Sequence, residues 1–259
     1  MPFRILTIVA ALALSACASP APPLPDAPVI VFGEQHDQPD HQRQTAQAVR
    51  QLAAQGLLAA LVIEMAERGR DTAALPRDAS AAQVREALGW RNWEWPVYED
   101  VVMAAVRAGV PVRGGNLPRE RMREAMADAG RDALLDAATR EKLATAVRDG
   151  HCGLLPAAQE PGMVRIQIAR DQAMAQTVAE SLRPGQRVLL LTGAQHASRD
   201  RGVPLHLAMR PDAPSVHVVI FGDPSSGLAA DEQRTAIVTP RPDPCDGLAE
   251  QLGRPAAAR

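Results

Sequence analysis

Two apolar runs that end in the same way constrain the fold of this chain most strongly. The run 29–32 is followed by Gly33 and, three residues later, by His36; the run 188–192 is followed by the same pattern, which ends at His196. Strands that are apolar on both faces are typical of parallel sheets covered by helices on both sides. In such sheets, ligands bind beyond the carboxyl ends of the strands. We therefore predict that the two histidines lie at one edge of a parallel sheet and share a cleft.

Acidic and amide side chains follow the other predicted strands of this sheet. Glu34 comes at the end of the first strand, Glu64 follows the second, and Asn116 lies shortly after the third. Because the carboxyl ends of parallel strands meet at one edge, these three side chains should lie near the two histidines. Two imidazoles and two carboxylates in one cleft indicate a binding or catalytic site.

Helical patterns alternate with the strands. Ser80 and Gln83 have the spacing of a capping box at the start of a short helix. The stretch from about 117 to 185 is helical in pattern and lies between the third and fourth strands. Further helices are predicted over 42–55, 98–108 and 204–209. This order predicts an α/β fold of three layers, in which a mostly parallel sheet is flanked by helices and carries a helical insertion.

The amino terminus has the pattern of a lipoprotein signal peptide. Arg4 precedes the apolar run 5–14, which has the length of a signal-peptide core and is too short to span a bilayer. The run closes on Leu14-Ser15-Ala16-Cys17, which resembles a lipobox, so Cys17 is predicted to carry lipid. An ordinary cleavage site at Ala16 or a nearby alanine is the alternative.

The chain is therefore divided into four parts. Residues 1–16 are predicted to be the signal peptide, 17–28 a Pro-rich tether, 29–222 the folded domain, and 223–259 an extended or disordered tail. Ala18, rather than aspartate, follows the lipidated cysteine, as in outer-membrane lipoproteins of Gram-negative bacteria. The expected location is the periplasm, on the outer membrane. The formal net charge of −2 gives no indication of nucleic-acid binding.

Two further cysteines remain once Cys17 is modified. Cys152 and Cys245 are most simply explained as a disulfide, because an exported protein meets oxidising conditions. The alternative is that His151 and Cys152 form a pair of ligands for haem or a metal ion.

A series of short motifs runs through the chain in a fixed order. They are Gly33-Glu34-Gln35-His36-Asp37, Glu64-Met65, Trp93 to Tyr98, Asn116-Leu117-Pro118-Arg119, His151-Cys152-Gly153, Gln167 with Arg170-Asp171, Gly193 with His196, and Asp200 to Pro204. Together with the lipobox, this ordered set resembles the ChaN family of haem-binding lipoproteins. The resemblance implies a three-layer α/β fold, haem binding and a part in haem or iron acquisition. It also implies membership of the wider Tiki and erythromycin-esterase-like superfamily.

The resemblance further implies that a tyrosine binds the haem iron. Tyr98 is the single tyrosine of the chain and is therefore the candidate. If Tyr98 is not the ligand, His36, His196 or His151 would have to bind the iron. The remaining residues expected at the haem are Glu34, Glu64 and Asn116 at the strand ends, Arg113 and Arg119 for the propionates, and Trp93, Trp95, Met65 and Met103 in the walls.

A metal-dependent hydrolase is the alternative function. Glu34, His36, Glu64 and His196 are the residue types of such a site, and His36, Glu64 and His196 would hold Zn²⁺ or Mn²⁺. A third alternative is a structural lipoprotein in which these polar groups merely bond to one another. We expect haem binding without catalysis.

The partners expected for a haem carrier are haem itself and the proteins that deliver or receive it. The chain has only three Trp, three Phe and one Tyr to supply both core and pocket. A homodimer formed on haem binding would share the pocket wall between two copies. An outer-membrane haem receptor or other uptake machinery is the expected partner protein.

Overall fold

The structure, a computed structural model, describes residues 23–36, 38–222 and 226–251. The predicted signal peptide 1–16, the lipidation site Cys17 and the motif residue Asp37 lie outside the described residues. Within the described part, no helix combines the length and the apolar character needed to cross a membrane.

Six strands of the described chain form one sheet. They are β1 (Val29–Glu34), β2 (Leu58–Glu67), β3 (Val112–Asn116), β4 (Arg187–Gly193), β5 (Val216–Phe221) and β6 (Glu232–Arg234). Their order is β3-β2-β4-β1-β5-β6, and neighbouring strands are parallel throughout. β1 and β4 lie in the middle of the sheet, which explains why both are apolar on both faces. The predicted α/β fold is confirmed.

Helices cover both faces of this sheet. The described helices are α1 (Pro39–Ala54), α2 (Ala81–Ala87), α3 (Trp95–Ala108), α4 (Met122–Ala127), α5 (Ala137–Gly150), α6 (Glu160–Ser181), α7 (Ala194–Ala197), α8 (Val203–Ala208) and α9 (Pro244–Gln251). Alternate strand residues such as Ile30 and Leu191 pack under α1 and α3, whereas Val31 and Leu190 pack under α6 and α8. The capping box at Ser80 and Gln83 starts α2, as predicted.

The predicted insertion contains α4, α5 and α6. α6 packs directly on the sheet and is therefore part of the outer layer of the sandwich. α5 packs on α6 through a separate apolar cluster that includes Leu143, Val147 and Ile168. The same helix α5 lies opposite the carboxyl edge of the sheet. Its residues Leu143 and Val147, and His151 at its end, line the cleft described below, and we call this side the outer wall.

The tail differs from the prediction that it is extended or disordered. Its described part contains β6, which extends the sheet beside β5, and α9, which carries Cys245. β6 is polar in sequence because it is an edge strand, so it lacks the apolar run by which the other strands can be recognised. Cys152 and Cys245 form a disulfide with their Cα atoms 5.5 Å apart, which ties α9 to the end of α5.

Candidate functional site

Glu34, the last residue of β1, lies at the centre of a hydrogen-bonded group. Its Oε1 accepts a hydrogen bond of 2.8 Å from the Tyr98 hydroxyl and lies 2.8 Å from Nδ1 of His36. Its Oε2 accepts a hydrogen bond from the side-chain amide of Gln42 on α1. Burial raises the pKa of the Glu34 carboxyl, although the hydrogen bond and charge of His36 oppose that shift.

Glu64 on β2 is the second buried carboxylate, and the sheet itself supplies its partners. Its Oε2 accepts hydrogen bonds from the Thr192 hydroxyl at 2.6 Å and from the backbone N–H of Gly193 at 2.7 Å. Its Oε1 lies 2.6 Å from Nη2 of Arg170 on α6. Burial alone would raise the pKa of Glu64, but His196 and Arg170 hold it well below its ordinary value.

The two predicted histidines face Glu64 from either side. Nε2 of His36 and Nε2 of His196 each lie 3.9 Å from Glu64 Oε1. Nδ1 of His196 lies 2.6 Å from Oδ1 of the buried Asp171, so a carboxylate orients each imidazole. Burial lowers the pKa of His36, but Glu34 and Glu64 outweigh it and raise the pKa above its ordinary value. We call the four residues Glu34, His36, Glu64 and His196 the inner cluster.

Two glycines leave the space that the inner cluster needs. A β-carbon on Gly193 would lie 2.8 Å from Nε2 of His36. A β-carbon on Gly33 would lie 2.5 Å from the β-carbon of Ala197, so α7 could not pack against β1. The repeated pattern of glycine followed by histidine thus reflects close packing at two adjacent strand ends.

The inner cluster lies at the floor of a cleft of about 930 Å³ between the sheet edge and the insertion. This volume is within the range of roughly 300–1,000 Å³ that is usual for ligand pockets. Two arginines supply positive charge to its lining: Arg170 at the floor, beside Glu64, and Arg241 from the tail. The larger apolar side chains of the lining are Trp93, Leu143, Val147, Ile220, Phe221 and Leu228. Carboxylates thus lie at the bottom of the cleft, apolar side chains form its walls, and two arginines are part of its lining.

His151, at the end of α5, stands on the outer wall of the same cleft. Its Nδ1 lies 2.7 Å from the carbonyl oxygen of Val147, one helical turn earlier. Cys152 follows directly and carries the disulfide. Its backbone has a φ of 58°, in the left-handed region that non-glycine residues seldom occupy.

The tail closes one side of the cleft. The Thr239 N–H donates to the Gln38 side chain at 2.8 Å, and Nη1 of Arg241 donates to the His36 carbonyl at 3.3 Å. Beyond Arg241, the disulfide joins Cys245 to the end of α5. The tail therefore connects the start of α1 with the outer wall.

Tyr98 lies outside the cleft. Its side chain is in the core with 2% of its surface exposed, and its ring packs against those of Trp90 and Trp93. The hydroxyl donates to Glu34, behind His36 as seen from the cleft. An iron ligand would be expected to point its hydroxyl oxygen into the cleft. The Tyr98 hydroxyl is instead directed at the carboxylate of Glu34.

The two arginines predicted for the propionates are also displaced from the cleft. Nη1 of Arg113 donates to the Ser181 hydroxyl at 2.9 Å, near the end of α6, because Arg113 lies near the beginning of β3 and not at its carboxyl end. Arg119 lines a neighbouring cavity of about 450 Å³ that meets the main cleft at Glu64 and Trp93.

Asn116 and Arg170 work together at the boundary between these two cavities. The Asn116 amide donates to the Glu64 carbonyl at 3.0 Å and accepts from Nε of Arg170 at 2.9 Å. The sequence motifs alone assign no role to Arg170 or Asp171. Gln167 and Arg170 lie one turn apart on α6 and are in contact, and this spacing is the feature of the sequence that could have identified them.

The geometry bears on the proposed divalent metal as well. Among residues 23–36, 38–222 and 226–251, no three His, Cys, Asp or Glu side chains are arranged to hold a metal ion together. The inner cluster as it stands is a hydrogen-bonded and ion-paired group in which Arg170 already occupies one oxygen of Glu64.

Comparison with known proteins places this chain in a family. Residues 21–207 match the family model described as haem-binding uptake, Tiki superfamily, ChaN. Among solved structures, the ChaN protein of Campylobacter jejuni, described with cofacial haem binding, is 22% identical with a TM-score of 0.67, and the match covers 83% of this chain and 88% of that one.

Other structural matches are weaker. An erythromycin esterase variant in its open conformation is 13% identical over 83% of this chain and 76% of that one, with a TM-score of 0.45. A Bacillus cereus protein is 12% identical over 88% of this chain and 75% of that one, with a TM-score of 0.42. The curated proteins gave no match. On the family match over most of its domain, this chain belongs to the ChaN family of haem-binding uptake proteins in the Tiki superfamily.

Proposed function

We propose that this protein binds haem in the cleft and takes part in haem or iron uptake. The observation that carries the proposal is the composition of the cleft in a chain of this family: apolar walls, an imidazole on the outer wall, and two arginines in the lining. Haem needs these three features, because it is a planar apolar ligand with an iron that takes an axial ligand and with two anionic propionates.

The described residues fit haem as a cargo. Trp93 and Ile220 line the cleft from the sheet side, and Leu143 and Val147 line it from α5, so a flat ligand would meet apolar side chains from both sides. Arg170 is held by Asn116 and Glu64, and it replaces Arg113 as the candidate for a propionate.

The location and assembly belong to the same proposal. A lipid on Cys17 would hold the protein in the periplasm on the outer membrane, where haem enters the cell envelope. A homodimer formed on haem binding would complete the walls around the haem with residues of the second copy. Labelled palmitate should appear on the wild type and be absent from Cys17→Ala; label on the variant would contradict lipidation.

The test is a haemin titration followed by absorbance, with the molar mass measured by light scattering. We expect a saturable Soret band and, on saturation, twice the mass of the apo-protein. Ala146 lines the cleft on α5, so Ala146→Trp should fill the cleft and raise the haem Kd at least about 10-fold. Ala138→Trp places the same side chain at an exposed position of α5 and is the matched control. Equal Kd values for the two variants would exclude this cleft.

A second function is favoured by one observation, the orientation of two imidazoles by carboxylates towards Glu64. The pair His196–Asp171 has the geometry of a general base with its orienting carboxylate. Hydrolysis of ester or peptide substrates that is lost in His196→Ala, with haem binding intact, would support a hydrolase built on the inner cluster. Metal analysis of the purified protein would then decide whether His36, Glu64 and His196 hold Zn²⁺ or Mn²⁺.

A further inference from the structure

We propose that His151 is the axial ligand of the haem iron and that the inner cluster does not touch the iron. This inference rests on the proposed haem binding and assigns the ligand within that site. It follows from what surrounds the free ring nitrogen of each histidine at the cleft.

The inner histidines present their Nε2 atoms to a narrow space. Each Nε2 lies 3.9 Å from Glu64 Oε1, and that of His36 also faces the backbone of Gly193, where even a β-carbon would lie 2.8 Å away. An iron bound to either nitrogen would have to lie beside Glu64 Oε1, an oxygen that already pairs with Arg170.

Tyr98 is excluded by burial and by its partner. Its side chain is 2% exposed, and its hydroxyl donates to Glu34 in a pocket closed by Trp90 and Trp93. Bringing this hydroxyl to an iron in the cleft would require the removal of His36, which lies between them.

His151 has the opposite surroundings. A carbonyl oxygen can only accept a hydrogen bond, so the 2.7 Å contact with Val147 fixes the proton on Nδ1 and leaves the lone pair on Nε2. Among the described residues, the His151 ring forms this hydrogen bond through Nδ1. Its Nε2 stays available to a ligand in the cleft. Metal-bound histidines usually donate their other ring N–H to a carbonyl or carboxylate in this way.

The position of His151 on α5 also suits a flat ligand. Leu143, Val147 and His151 follow one another at intervals of four residues and therefore lie along one face of the helix. All three line the cleft. Leu143 and Val147 also pack α5 on α6, so a porphyrin in the cleft would meet the edges of these two side chains while its iron meets the imidazole at the end of the helix.

The backbone around His151 is held at several points. The N–H groups of Cys152 and Gly153 donate to carbonyls of the last turn of α5, both at 2.9 Å, and Cys152 is anchored through its disulfide. The carboxyl end of a helix also carries partial negative charge, which favours a cationic centre such as ferric iron.

The experiment compares absorbance and electron paramagnetic resonance spectra of ferric haem bound to four proteins. The wild type should show nitrogen ligation. In His151→Gly this signature should be lost and the haem Kd should rise at least about 10-fold, since the loss of even an outer partner of a metal ligand has that effect. Added imidazole should restore the wild-type spectrum in His151→Gly. His36→Gly and Tyr98→Phe should keep it without imidazole.

The outcomes separate the inference from the proposed function. A wild type that binds no haem would overturn both. Haem binding by the wild type with an unchanged spectrum in His151→Gly, or a ligand change in His36→Gly or Tyr98→Phe, would overturn the assignment of His151 alone. A free-thiol assay of His151→Gly establishes that the disulfide is intact, and near-ultraviolet circular dichroism establishes that the fold is.

Discussion

The inner cluster and the outer wall of the cleft both present imidazoles, but they hold them in different ways. His36 and His196 are oriented by carboxylates and face a third carboxylate, Glu64, which is also paired with Arg170. His151 is oriented by a backbone carbonyl, and its position depends on a disulfide. The same side chain is therefore suited to proton transfer or small polar ligands at the floor and to a large apolar ligand at the wall. The group that faces Nε2 determines which of these two roles a histidine is suited to.

The first consequence is that the wall should depend on the disulfide while the floor does not. In Cys152→Ser/Cys245→Ser, the free energy of unfolding should fall by about 3–4 kcal/mol, because the crosslinked residues are 93 positions apart and a loop of that size restricts the unfolded chain strongly. Urea unfolding measures this change. Because His151 is no longer held in one position, the spectrum of bound ferric haem should show a mixture of ligation states. The pKa of His36 should stay at its wild-type value.

Reduction of the wild type by a dithiol is the matched control, since it breaks the same bond without a substitution. It should reproduce the loss of stability. Two free thiols in the denatured, unreduced wild type would contradict the disulfide itself.

The floor should depend instead on its buried ion pair. In Arg170→Met, Glu64 loses its cationic partner but stays buried, since only 2% of its side chain is exposed. The free energy of unfolding should therefore fall by about 3 kcal/mol at pH 7. Arg123→Met removes an exposed arginine from α4 and should have almost no effect. Urea unfolding of both variants tests the difference, and equal midpoints would show that Glu64 does not need this partner.

The sequence is sufficient to predict the floor but not the wall. Apolar runs identify the central strands, and because every parallel strand ends at the same edge, the amino-acid sequence alone places Glu34, His36, Glu64 and His196 together. The family pattern also includes His151, but its role depends on the packing of α5 against α6. Nothing in the local sequence specifies which direction α5 faces.

The sequence also does not predict the direction in which an individual side chain points. Arg113 and Arg170 are both arginines near the predicted site, yet only the position along β3 shows that Arg113 reaches Ser181 and not the cleft. Tyr98 is expected at the iron because it is the single tyrosine, and its burial follows from the way α3 packs on the sheet. β6 is polar and short, so it carries no apolar pattern to recognise.

The pH dependence provides a finer comparison within the floor. Glu34 and Glu64 raise the pKa of His36 above its ordinary value of 6.5, so this imidazole contributes stability fully below pH 6.5 and loses it as the pH rises through the raised pKa. Glu64 acts in the opposite sense: its lowered pKa contributes stability above pH 4.5, which is lost as the pH falls below that value.

Proton NMR of the His36 ring tests the first of these statements. Glu34→Gln removes the nearest carboxylate and should bring the pKa of His36 down, whereas Glu99→Gln removes an exposed carboxylate beside Tyr98 and should leave it unchanged. A His36 pKa at or below 6.5 in the wild type would mean that burial outweighs the two carboxylates.

The smallest expected effect concerns Tyr98, whose role distinguishes support of the floor from ligation of iron. Tyr98→Phe removes one of several hydrogen bonds to Glu34, and the carboxylate keeps His36 and Gln42, so the free energy of unfolding should fall by only about 1 kcal/mol. Trp90 and Trp93 still pack on the ring, which limits any rearrangement. Urea unfolding measures the loss, and the haem Kd should remain within about twofold of the wild type. A large rise in Kd with little change in stability would instead make Tyr98 part of the haem site, and the division between floor and wall would not hold.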